Sequence, residues 1–137
     1  MRQVALLAFA LLMSDAAAAD VVRHGVIPEA YRGRWIESAE TEPHRSIIAL
    51  SAKAYVGPAA NCSVDWVSET ASMRGSIYAA HLQCVDPAAA VEKRTTANLI
   101  IWPENSDRIA VGPEFTNLKI FRRCVATCDA QAAQSDH

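Results

Sequence analysis

The residues from Thr95 to Cys124, TTANLIIWPENSDRIAVGPEFTNLKIFRRC, hold three short apolar runs separated by two turn-like breaks, and this alternation constrains the fold more than any other stretch. Ala97 to Trp102 is β-branched and aromatic, and Pro103 removes the amide that would continue a ladder, so a strand is expected to stop there. Glu104-Asn105-Ser106-Asp107 supplies turn chemistry, Arg108 to Val111 reads as the next strand, and Gly112-Pro113 with Asn117 brackets a loop before Leu118 to Cys124. Two consecutive hairpins follow. In the last strand Leu118, Ile120 and Arg122 share one face, and Lys119, Phe121 and Arg123 share the other. The first of these faces is expected to point inward.

The chain begins with a short basic start, Met1-Arg2, an apolar stretch from Val4 to Met13 and a small-residue end at Ala16 to Ala19. This layout reads as a signal peptide over residues 1–19, because the apolar part is well short of the ~20 residues a spanning helix needs. A periplasmic or secreted protein is therefore expected, with no membrane span. Residues 20–128 are assigned to a single domain and residues 129–137, which lack large apolar side chains, to a flexible tail. Removing Arg2 and Asp15 with the leader leaves the net charge at -2, which favours neither nucleic acid nor anionic lipid as a partner. A monomer is expected.

All four cysteines, Cys62, Cys84, Cys124 and Cys128, follow the leader, and an even count in an exported chain reads as two disulfides. Cys62 and Cys84 fall at the outer ends of a hairpin built from Cys62 to Ser68 and Gly75 to Val85, so an antiparallel pair would bring them together. That pairing would contribute about 3 kcal/mol by loop closure, and it leaves Cys124 with Cys128. The competing pairing, Cys84 with Cys124, would tie the middle of the chain to its last strand. Cys-Val-Ala-Thr-Cys lacks the C-x-x-C spacing of a redox pair.

Ahead of these segments, Asp20 to Pro28 shows no periodicity and reads as a mobile leader. Tyr31, Gly33 and Trp35 alternate on one face of a first strand, and Ser46 to Leu50 and Ala52 to Val56 supply further strand pieces. In Cys62 to Ser68 the alternation puts Cys62, Val64 and Trp66 on one face. The segments together point to an all-β fold, an up-and-down antiparallel barrel of seven or eight strands stapled by disulfides. The Gly33-x-Trp35 opening resembles that of the lipocalin and avidin-like barrels and of bacterial protease-inhibitor barrels of the same plan. The resemblance implies that Trp35 closes one end of the barrel while a basic residue of the last strand packs across its ring. Periodicity favours Arg122 over Arg123 for that role.

Chemistry-bearing motifs are absent from the sequence. His24, His44, His81 and His137 are scattered without zinc-ligand spacing, and there is no nucleophile elbow, S-x-x-K or phosphate loop. Glu40, Glu42 and His44 alternate in a polar loop, where solvated charge is the simpler reading than a metal site. No cofactor, no metal and no enzymatic activity are expected. The first functional expectation is an exported binding protein whose loops Glu37 to Arg45 and Gly57 to Asn61 contact another protein, in its most concrete version a hydrolase inhibitor. The alternative is a carrier holding a small apolar ligand inside the barrel, with Trp66, Tyr78, Ile100 and Trp102 as wall residues. Against the carrier stands the simpler account that these four are core.

Overall fold

A computed structural model describes residues 21–38, 45–125 and Cys128. The proposed signal peptide, the C-terminal tail and residues 39–44, with Glu40, Glu42 and His44, lie outside the described residues. Among those described, nine strands form one antiparallel sheet: β1 Val21–His24, β2 Gly33–Glu37, β3 Ile47–Leu50, β4 Ala54–Val56, β5 Asn61–Ser72, β6 Gly75–Val85, β7 Arg94–Asn105, β8 Arg108–Gly112 and β9 Lys119–Arg123. From β2 onward each strand pairs with the next, and β9 pairs back onto β2 through Trp35↔Arg123 and Ile36↔Arg122. The result is a closed eight-stranded up-and-down barrel, as the sequence leads one to expect. Closure leaves β2 to β9 without the long free edges that invite pairing with other chains.

β1 is the strand that the sequence conceals. Its residues pair with the far half of β5, Val21↔Thr70 to His24↔Val67, on the edge where β4 stops after Asn61 to Ser63. The supposed mobile leader is therefore a strand over Val21–His24. Its recognition signal is non-local pairing, which no periodicity within four residues reveals.

Side-chain alternation places Trp35, Ile48, Leu50, Val64, Leu82, Leu99, Ile101, Ile109, Val111 and Phe121 inside the barrel, all of them buried. Two expectations about faces are corrected here. In β5 the register slips between Val64 and Trp66, so Val67 turns inward and is fully buried, while Trp66 turns outward. In β9 the inward face is that of Phe121, paired with the buried Ile109, and Arg122 points out. Burying the large Phe121 ring outweighs half-exposing Leu118 and Ile120.

Two boundaries also move. β7 continues through Pro103 to Asn105, because a second register shift between Pro103 and Asn105 accommodates the proline's missing donor. Tyr31 belongs to a one-turn 3-10 helix, Glu29–Tyr31, rather than to the first barrel strand.

Both disulfides expected from the hairpin argument are present. Cys62 and Cys84 are directly opposite each other in the β5–β6 ladder, with Cα atoms 4.0 Å apart, and Cys124 is bonded to Cys128 across 5.4 Å. The first is a buried part of the barrel wall. The second sits where the chain leaves β9.

Candidate functional site

The two ends of the barrel are built differently. At one end the chain enters β2 through the 3-10 helix, and the β7–β8 turn and the end of β9 lie beside it. Trp35 is fully buried here, and its indole N–H donates to the Tyr31 carbonyl at 3.0 Å. Arg123 lies over the ring, 4.3 Å from its centroid. Its guanidinium donates to the carbonyls of Arg32 at 2.9 Å, Ala30 at 2.7 Å and Ser106 at 3.0 and 3.1 Å, and Asp107 lies 3.7 Å away. One planar cation thereby ties together the entry to β2, the β7–β8 turn and the last strand, which a point-like ammonium could not do.

Gly33 has a steric reason to be glycine. Its φ is +124°, and a Cβ there would sit 3.3 Å from an Arg123 guanidinium nitrogen. The closing residues are thus Gly33, Trp35 and Arg123. Arg122, which periodicity favours, is excluded from the role because β9 turns its Phe121 face inward.

At the other end the interior opens into a cavity of about 430 Å³. Its walls are apolar: Ile48, Tyr55, Leu82, Leu99, Val111, Phe121 and the Cys62–Cys84 disulfide. Gly57 to Ala60 of the β4–β5 loop and Pro113 and Asn117 of the β8–β9 loop form its rim. Gly112 permits that second loop to fold back on its own strand, since a Cβ would run into the Asn117 carbonyl. Leu50, Val67, Ala80, Ile101 and Ile109 pack the interior toward Trp35 and do not reach the cavity. The barrel is filled over one half and open over the other.

Polar groups are few around the cavity. Lys119 enters its lining from β9, with its ammonium 3.5 Å from the carboxylate of Glu37, which is buried behind it. Burial pushes the Tyr55 hydroxyl above the ordinary tyrosine range, which keeps it a neutral donor. Ser46, Asn98 and Asn117 complete the polar part of the lining. No acidic residue among the described residues lines the cavity.

None of the four wall residues expected from the sequence lines it. Trp66 is outside, stacked on His81 with centroids 3.4 Å apart and carrying the Arg23 guanidinium at 3.9 Å, so it fastens β1 to the barrel. Ile100 and Trp102 have the outward parity of β7, alternating with the inward Leu99 and Ile101, and Trp102 meets Phe115 edge to face at 6.1 Å. Tyr78 packs on Tyr31 toward the closed end, 5.5 Å between rings. The real lining escaped the sequence because it requires knowing which half of each strand lies above the packed core.

A third polar group stands on the outer part of the β5–β6 hairpin. Glu69 accepts from Ser76 at 2.6 Å and meets His24 of β1 at 2.8 Å. The Ser76 hydroxyl, and after it His24, hold its carboxyl below the usual range. His24 and Ser76 occupy different oxygens of the carboxylate and are not bonded to each other, so they form no nucleophile–base pair. Their role is to anchor β1. No protein-family model matches this sequence, and comparisons with curated proteins and with solved structures find no significant match.

Proposed function

We propose that this chain is an exported, non-enzymatic binding protein that carries a small, largely apolar molecule in the open half of its barrel. The observation that carries the reading is the cavity itself. At about 430 Å³ it falls within the ~300–1,000 Å³ typical of small-molecule sites, and it is walled by apolar side chains with a few polar groups at the rim. Burial of a ligand's apolar surface there supplies the affinity, while the covalent wall of Cys62–Cys84 and the closed barrel hold the site in shape. The resemblance to lipocalin-type barrels stated from Gly33 and Trp35 agrees with this reading, with Arg123 in the place of the packing cation.

Native mass spectrometry of the gently purified protein, combined with titration of a fluorescent fatty-acid analogue, tests the proposal. A consistent added mass, or saturable probe binding that a competitor displaces, supports it. A clean mass together with no saturable binding rejects it. The other expected function, recognition of a protein such as a hydrolase by the loops, draws on Gly57 to Ala60, which stand at the same rim. Inhibition of a panel of proteases and lysozymes by the ligand-free protein would favour that alternative.

A further inference from the structure

We propose that the ligand class is an amphiphilic monoanion, with an apolar tail in the barrel and an acidic head at the rim against Lys119. This rests on the carrier reading above and deepens it. Three features of the cavity converge on that chemistry. Its wall is apolar, which selects the tail. Lys119 is the charged side chain that enters the lining among the described residues, and it is more than half exposed. The other ionisable side chain of the lining among the described residues, Tyr55, is kept neutral by burial and adds a donor. Among the described residues a cationic head would find no carboxylate on the cavity surface, whereas an anionic head would find the Lys119 ammonium.

Glu37 determines how strongly. Its carboxylate is 3.5 Å from the Lys119 ammonium and buried behind it, an ion pair that holds the lysine at the rim. The lysine side chain remains more than half exposed and within reach of a ligand's head group. Glu37 also opposes an incoming anion by like charge, so the pair sets affinity at an intermediate level rather than the highest attainable. This gives the arrangement a signature that a merely structural ion pair lacks: neutralising Glu37 should tighten the binding of anions.

Isothermal titration of the purified protein with decanoate, decanol and decyltrimethylammonium tests the assignment. Decanoate is expected to bind roughly tenfold more tightly than decanol, about 1.4 kcal/mol, with the ammonium compound weakest. Lys119→Gln should abolish the preference by lowering decanoate affinity to about that of decanol. Glu37→Gln should raise decanoate affinity a further few-fold, on the order of the strength of one partly exposed charge pair. If Glu37→Gln does not fold, Lys119→Gln, a change at an exposed side chain, carries the test alone. Decanol or the ammonium compound binding as tightly as decanoate, or a preference that survives Lys119→Gln, overturns the head-group assignment and leaves the carrier reading standing. Failure of all three to bind overturns both.

Discussion

Trp35 and Lys119 both project into the same barrel, yet their surroundings are opposites. Around Trp35 every group is matched: the ring is buried, its N–H has an acceptor, and Arg123 satisfies three backbone carbonyl positions from different parts of the chain. Around Lys119 the interior is left open, with apolar walls, one ammonium and a few neutral polar groups in the lining. The matched end determines stability because it ties together residues distant in sequence, Ala30 and Ser106 among them. The unmatched end contributes less to stability and offers surface that a ligand can cover.

Substitutions at the two ends should therefore separate stability from binding. The largest effect is expected from Trp35→Ala, which removes a fully buried ring and should cost about 3 to 5 kcal/mol in urea unfolding. Arg123→Ala should follow at roughly 2 to 3 kcal/mol, because it strips the stacked cation and leaves carbonyls of the closed end without their donor. The double variant should cost less than the sum of the two, since the groups touch. Arg122→Ala, on the outward face, should stay within ~0.5 kcal/mol. Equal effects for the two arginines would break the distinction between the faces of β9.

At the open end the expectation reverses. Ala97→Phe places a ring at the cavity's edge, where Ala97 is exposed, and should abolish probe binding while shifting urea stability by less than ~1 kcal/mol. Loss of stability without loss of binding would mean that the cavity is not the site.

The smallest effect concerns β1. Glu69 titrates below the ordinary carboxylate range in the folded protein, so its contribution is present above that range and fades as pH falls through the lowered folded value. Glu69→Gln should remove that part of the acid sensitivity, seen as a flatter dependence of Tm on pH on the acid side. A variant whose Tm falls with acid as steeply as the parent's would detach the Ser76–Glu69–His24 cluster from stability.

How much of this was readable beforehand differs between the ends. Closure at Trp35 was legible only through the resemblance that Gly33-x-Trp35 carries, and the Cys62–Cys84 bridge because a hairpin must bring its outer ends together. The choice of Arg123 over Arg122 was not, since both faces of Leu118 to Arg123 mix apolar and basic residues and only the partner strand decides between them. Trp66 misled for a related reason. The bulge beside Asp65 carries no glycine or proline to announce it, yet it inverts the face of everything after it in β5. The cavity was the least legible feature, because it is defined by side chains that stop short of one another across seven strands, and no local pattern records that.

The central claim is that ligand occupies one half of the barrel and leaves the other half undisturbed. Titrating decanoate into methyl-labelled protein and following the resonances by NMR tests it most directly. Saturable shifts are expected at Ile48, Leu82, Leu99 and Val111, which line the cavity, with Val67, Ile101 and Ile109 at the packed end nearly unmoved. Shifts confined to exposed methyls such as Val21 and Val22, or no saturable shift at all, would contradict the account.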